Sequence, residues 1–322
     1  IPPDPPLRKG GTKKVGRFAR ALLAFCLLLC PPLALADTAP YMNYGPRAPA
    51  SEGDPDHRQF FYIAVPLDHP GPVHIRIFDG DTGGALDTAY GAFDTATRFA
   101  VYGGVDAYPG APLGGEPGAG EAAVAGLGFR LADWTVAENS NHDGQWHTLA
   151  SLDPGSGAQV HGEWLFRLEV ATLSGNDGNL FNVAVSARTD ANTPLPGARL
   201  FSYEPSLRLP PTGRELLLPF TVPARLTVAS FDFPGGAIRY VGPFRDRRLR
   251  PSGQARWRVE SMDPAPDEVV GEGALALSGG LEQPNDLSLL VVDDRDRQLA
   301  LWLPPRAVVR NGRPRPAFTA TA

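Results

Sequence analysis

The chain holds 322 residues, room for one large or two ordinary domains, and its 43% apolar residues, with 16 Phe, 5 Trp and 8 Tyr, exclude simple disorder. Its 36 Gly and 34 Pro exclude a helical bundle and suit short strands joined by many turns. The formal net charge of −5 conceals an uneven distribution that bears on what the protein can bind.

Lys13, Lys14, Arg17 and Arg20 precede an apolar run from Ala21 to Cys30, and Ala34-Leu35-Ala36 follows it. This is the pattern of a secretory signal peptide, residues 1–36, with cleavage expected before Asp37 and a secreted or periplasmic destination. Leu29 before Cys30 is too large for lipid attachment, and no segment approaches the roughly 20 apolar residues of a membrane helix. Both cysteines, Cys26 and Cys30, and all three lysines lie within the removed segment, so neither disulfides nor a thiolate serve the mature chain. A chain rich in Arg, Ala, Gly and Pro without lysine fits a GC-rich bacterial genome. Because it opens on Ile1, a fragment of a longer polypeptide is one expectation.

Residues 37–57, rich in Gly and Pro, read as a flexible leader. Phe60 to Val65 is aromatic and β-branched and ends at Pro66. Val73 to Phe78 alternates at period two, which places His74 on an exposed face. Residues 103–128 read as a long Gly, Ala and Pro loop, followed by strand residues to Val136 and a polar turn from Asn139 to Gly144. Gly162 to Val170 and Leu180 to Val185 flank the turn Ser174 to Asn179 and read as a hairpin. Residues 58–190 thus form an acidic β-sandwich, and residues 191–213, with five prolines, an interdomain linker.

The opening pattern then returns. Phe220-Thr221-Val222-Pro223 echoes Ile63 to Pro66, and Leu226 to Asp232 echoes Val73 to Asp79, each ending in Phe-Asp. Trp257 stands in for Trp164, and Asn285-Asp286 for Asn176-Asp177. The expectation is an all-β protein of two tandem antiparallel, jelly-roll-like β-sandwich domains, the second at 214–305, before a disordered Arg and Pro tail at 306–322.

The order of features in the first unit resembles the bacterial pre-peptidase C-terminal type of domain, a small β-sandwich appended to secreted enzymes. Phe61 to Pro66, Val73 to Phe78, Asp79 to Asp87 and Gly162 to Leu168 occupy the places of its opening strand, alternating strand, Asp-bearing loop and late aromatic strand. The resemblance implies a noncatalytic module, with an insertion at residues 103–150.

The sharpest chemical candidate is the loop Asp79-Gly80-Asp81-Thr82-Gly83-Gly84-Ala85-Leu86-Asp87. Its carboxylates around flexible glycines can fold onto one hard cation, Ca²⁺. Asp177 completes the expected metal set of Asp79, Asp81, Asp87 and Asp177, with Asp94, Asn176 and Asn179 as further candidates. The alternative is a turn whose acids cap backbone amides. All six histidines fall in the acidic half, but the spacing of His142 and His147 matches no zinc pattern. Trp146 in a polar loop and the basic residues Arg245, Arg247 and Arg248 are the candidate ligand-binding residues.

Residues 37–190 carry 20 acids against 7 arginines, and residues 191–322 carry 14 against 17. Nucleic acid is therefore an unsuitable partner for the first half. The chain has no nucleophile elbow and no phosphate-binding glycine loop. The function expected is an exported binding module with a cell-surface glycan or another exported protein as partner. A secreted polysaccharide hydrolase using a pair such as Glu138 with Glu163 or Asp143, or the accessory region of a longer secreted enzyme, are the alternatives.

Overall fold

The computed structural model describes residues 41–52, 57–115, 118, 124, 126–210, 214–242, 245–263, 271–281 and 285–309. The expected signal peptide and the tail beyond residue 309 lie outside them.

Twenty strands follow one another among the described residues. The first ten are β1 (Tyr41–Tyr44), β2 (Arg58–Pro66), β3 (Val73–Phe78), β4 (Ala96–Gly103), β5 (Phe129–Val136), β6 (Trp146–Leu152), β7 (Ala158–Val160), β8 (Glu163–Ser174), β9 (Gly178–Ser186) and β10 (Arg199–Ser202). The second ten are β11 (Ser206–Arg208), β12 (Arg214–Thr221), β13 (Leu226–Phe233), β14 (Ala237–Val241), β15 (Asp246–Leu249), β16 (Gly253–Met262), β17 (Glu272–Ser278), β18 (Asp286–Asp293), β19 (Leu301–Leu303) and β20 (Arg306–Val309). All pairings are antiparallel, as expected for an all-β sandwich.

The sheet order exposes a duplication. One eight-stranded sheet runs β16-β13-β18-β11-β1-β9-β3-β6. Its two halves are the same four-strand pattern, β6-β3-β9-β1 and β16-β13-β18-β11, laid edge to edge. A second sheet, β19-β10-β2-β8-β4-β5, completes the first repeat, and a third, β15-β14-β17-β12-β20, completes the second. Strand for strand, β1 to β6 match β11 to β16, while β8, β9 and β10 match β17, β18 and β20. In each repeat the chain passes between sheets at nearly every turn, which is jelly-roll connectivity; the exceptions are β4–β5, its counterpart β14–β15, and the short β7, which pairs with β8.

Four expectations are corrected by this topology. The supposed linker holds β10, which pairs with β2, and β11, which pairs with both β1 and β18. Its prolines, Pro194, Pro196, Pro205 and Pro210, flank these short strands, where a missing N–H breaks no ladder. The leader contains β1, whose Tyr41, Met42 and Tyr44 are all buried. The first residues of the tail form β20 against β12. The expected hairpin is two real strands in different sheets: β8 lies between β2 and β4, and β9 between β1 and β3.

β3 is buried on both faces. His74, expected at the surface, is 6% exposed with Nδ1 2.8 Å from Ser151 Oγ, and Arg76 is held by Asn192 Oδ1 at 2.5 Å. The segment after β9 covers this face, bridging Ser186 to Pro194.

A single apolar cluster fills both repeats, from Tyr41, Phe61, Phe99 and Phe181 in the first to Phe220, Phe233, Tyr240 and Leu275 in the second. Gln59 ties the seam: its Nε2 donates to Met42 O at 2.7 Å and its Oε1 accepts from Ser206 N at 2.9 Å. Beside it Arg208 donates to Asp286 through Nε and Nη2 at 2.7 and 2.8 Å, to Tyr44 Oη at 2.9 Å and to Thr88 Oγ1 at 3.0 Å. Tyr44 and Thr88 belong to the first repeat, Arg208 and Asp286 to the second. The described residues of both repeats accordingly group as one compact unit.

Removing one partner leaves Asp286, 2% exposed, as an uncompensated buried charge. Arg208→Ala should cost about 3 kcal/mol in urea unfolding, while the protein still melts in one transition. Two separated transitions for the parent protein would show that the seam does not couple the repeats.

Candidate metal centre

The centre lies where the chain leaves β3 and where it enters β6. Asp79 follows Phe78 with φ 53°, a left-handed conformation that short polar side chains tolerate, and this turns the loop back toward the β5–β6 connection. Asp79 Oδ1 accepts from Gly144 N at 2.7 Å, and Asp79 N donates to Gln145 O at 3.0 Å. Asp81 Oδ2 accepts from Asn139 N at 2.8 Å. Two glycines permit this approach. A Cβ on Gly80 would stand 3.1 Å from Trp134 Cζ3, and one on Gly84, where φ is +69°, would stand 2.8 Å from Asp143 Cγ.

Asp79, Asp81 and Asp143 converge, with one carboxylate oxygen from each within 4.8 Å of the others. Asp79 and Asp81 are 1% and 0% exposed and Asp143 is half-buried. Asp81 Oδ1 and Asp143 Oδ1 are buried without a hydrogen-bond partner. Nearby, Asn179 donates through Nδ2 to Gly80 O at 3.2 Å and leaves its own Oδ1 buried and unpartnered. Burial pushes the Asp79 carboxyl up to about 6, against the pull of the Gly144 amide and with the help of its two acidic neighbours. Asp81 is raised by burial and by Asp143, against the Asn139 amide. Oxygen-only donors, negatively charged and under-coordinated, suit a hard divalent cation. Asp79, Asp81 and Asp143 are the residues that can hold one.

From the expected set, then, Asp79 and Asp81 come together, joined by Asp143 from the other loop, while Asp87 and Asp177 serve as caps. Asp87 accepts from Gly83 N at 2.7 Å and Leu180 N at 2.6 Å, and burial pushes it up to about 8. Asp177 accepts from Tyr90 N, Asp94 N and Thr95 Oγ1 at 2.9, 2.8 and 3.0 Å; these bonds outweigh its burial and hold it below the usual carboxylate range. The Asp177 cap carries the chain from β8 in one sheet to β9 in the other.

The duplication separates what the architecture needs from what it does not. Phe78 pairs with Trp146, rings 5.4 Å apart, as Phe231 pairs with Trp257 at 5.3 Å. Asp232, at φ 50°, accepts from Ala255 N at 2.7 Å just as Asp79 accepts from Gly144. The Phe-Asp corner and its amide cap are thus common to both repeats. Trp257 is therefore the counterpart of Trp146, not of Trp164. Counting from these anchors, Pro234 and Gln254 stand where Asp81 and Asp143 stand, so the second repeat keeps the cap and lacks the other two carboxylates.

The candidate ligand-binding residues fall elsewhere. Trp146 packs on Phe78, with the Arg76 guanidinium 5.7 Å from its ring. Arg245 donates to Asp263 O at 2.6 Å. Arg247 and Arg248 are exposed neighbours on β15, opposite Tyr240 and Arg239, so the strand's alternation sends them to opposite faces and they do not converge.

No protein-family model and no curated protein matches the chain. Among solved structures it is similar to the N-terminal CBM22-1–CBM22-2 tandem domain of Xyn10C from Paenibacillus barcinonensis, at 10% identity over 75% of this chain and 78% of that one; the TM-score of 0.15 is too low to carry an argument. No helix among the described residues is long and apolar enough to cross a membrane.

The raised carboxyls fix a pH dependence. A group whose folded pKa lies above its unfolded value of about 3.9 contributes stability that is complete below that value and is lost as pH rises through the folded pKa. For Asp79 and Asp232 that loss runs from about 4 up to about 6, and for Asp87 it continues to about 8. In chelator, the melting temperature should therefore fall steadily from pH 5 to pH 8, and Asp87→Asn should flatten the upper part of that slope whatever it costs in absolute stability. A profile that rises over this range would contradict the burial of these groups.

Proposed function

We propose that this chain is an exported, noncatalytic binding module of the kind appended to secreted enzymes, in which Ca²⁺ joins two loops of the first sandwich and a cell-surface glycan is the partner. The observation that carries the cation is the pair of buried, unpartnered oxygens, Asp81 Oδ1 and Asp143 Oδ1, in a cluster of like charge. Such a cluster is unfavourable by itself, because burial and mutual repulsion act in the same direction. A divalent cation offsets both.

Calcium is favoured over magnesium because the loops offer carboxylates and glycine backbone in a flexible arrangement and no preformed octahedron. A mature chain without cysteine also has no disulfide to fasten its loops, which leaves ion binding as a natural means of doing so. That no second cation cluster occurs among the described residues of the other repeat fits a module that is specialised in one half.

Titration calorimetry with CaCl₂ should show one site per chain, and calcium at about 100 times its Kd should add about 2.7 kcal/mol of stability. Asp81→Asn and Asp143→Asn should each weaken binding at least about tenfold, while Asp232→Asn, which removes only the matching cap of the second repeat, should leave it unchanged. No heat at millimolar CaCl₂, together with thermal unfolding indifferent to chelator, would end this reading.

A further inference from the structure

We infer that the half-exposed ring strip Trp134–His142–His147 beside the metal centre is a binding surface for a neutral saccharide, and that the cation holds it in place. The inference rests on the cation reading above and adds the ligand-contacting residues. Trp134 bears inward on Phe99, with centroids 5.9 Å apart, and outward on His142 at 4.9 Å; His142 in turn lies 4.2 Å from His147. Each ring of the strip is only partly buried.

The strip is physically attached to the cation ligands. Gly80, between Asp79 and Asp81, lies under the Trp134 indole, and His142 immediately precedes Asp143. Whatever draws Asp81 and Asp143 together therefore draws together the two segments that set the tilt of the rings. Without a cation, three neighbouring carboxylates repel one another there, opposed by the hydrogen bonds of Asp79 and Asp81 to the facing loop.

The second repeat indicates that the architecture does not need the two histidines. The positions of Asp81, His142, Asp143 and His147 are taken there by Pro234, Gly253, Gln254 and Arg258, yet the corner, its cap and the Phe231–Trp257 contact are intact. The cation oxygens and the two histidines are present together in one repeat and missing together from the other.

The ligand chemistry follows from the surroundings. Partly exposed rings stack on the C–H faces of sugars. Asn141 and Asp143 flank His142 in the chain and Glu138 opens the same loop, and their side-chain oxygens can accept hydrogen bonds from hydroxyl groups. The residues from 37 to 190 carry 20 acids against 7 arginines, which repels anionic polymers and leaves neutral saccharides as the fitting class.

The test is native affinity electrophoresis of the full chain through gels containing mixed-linkage β-glucan, galactomannan or arabinoxylan, in CaCl₂ and in EDTA, beside calcium calorimetry. At least one polysaccharide should retard the protein in calcium, with the effect weakened about tenfold in EDTA. His142→Ala/His147→Ala should lose that retardation by a similar factor while binding calcium with unchanged affinity; Trp134→Leu should do the same, and melting curves identify any variant that has merely unfolded. Normal calcium binding with no retardation by any of the three polymers, retardation that persists in EDTA, or retardation that survives in the folded double variant would each overturn the inference. Failure of calcium to bind at all would instead overturn the cation reading.

Discussion

A β-sheet edge leaves a row of N–H and C=O groups that must be paired, covered or exposed to water, and the architecture of this chain depends on how two such edges are closed. β1 and β11 are the equivalent edge strands of the two repeats, and they pair with each other, Tyr41 opposite Leu207. Tyr41 also pairs with Phe181 on β9, as Leu207 pairs with Leu287 on β18, so the two residues hold matching places on either side of a pseudo-twofold axis. Neither strand exceeds four residues, and neither would hold an edge alone. Joined, they turn two four-stranded halves into one sheet, and the Gln59 and Arg208 networks can then form across the seam. In the second layer β19 crosses to pair with β10, but the two sheets of that layer stay separate.

Because the molecule contains the same corner twice, it supplies its own comparison for the carboxylate cluster. An aspartate at positive φ that caps a distant amide has a complete structural role, and Asp232 shows that role without any neighbouring acid of its own loop. Burial raises Asp232 to about 6, as it raises Asp79. A raised carboxyl here thus reports the buried corner and says nothing about a metal. Asp81 and Asp143 are what remains once the corner is subtracted, and their free oxygens have no counterpart in the second repeat.

Much of the fold was legible in the residues, and the failures have physical causes. Val73 to Phe78 and Leu226 to Phe231 announce themselves by alternation and by a shared Phe-Asp ending, and the repeat follows from them. Strand chemistry does not say which sheet a strand enters, so β8 and β9 resemble a hairpin although Asp177 sends the chain across to the opposite layer. β10 and β11 are too short for a periodic signal and are bracketed by prolines, which imitates a linker. Matching Trp257 to Trp164 rests on similar apolar surroundings; only the cross-strand partners, Phe78 for Trp146 and Phe231 for Trp257, place it correctly. That one shift hid Asp143. With Trp146 and Trp257 aligned, Gly144 falls opposite Ala255 and the Asp before Gly144 stands out against Gln254.

The charge asymmetry then acquires a local meaning. The acids of the first half are not spread evenly over a solvated surface: Asp79, Asp81 and Asp177 are almost wholly buried, and Asp87 partly so, within one end of one sandwich. Soluble proteins gain nothing in solubility from buried carboxylates, and burial destabilises each ionised one unless it is compensated. Asp177 is compensated by amide and hydroxyl donors, and Asp87 by two amides. Asp79 and Asp81 each have only one such amide, and Asp81 faces Asp143 with no donor between them. The deficit is therefore confined to the point where the β3–β4 and β5–β6 loops meet. A positive charge supplied there would do more than neutralise three acids: it would reinforce the three hydrogen bonds, from Gly144 N, from Asn139 N and to Gln145 O, that join the loop leaving the central strand to the loop that bears the rings.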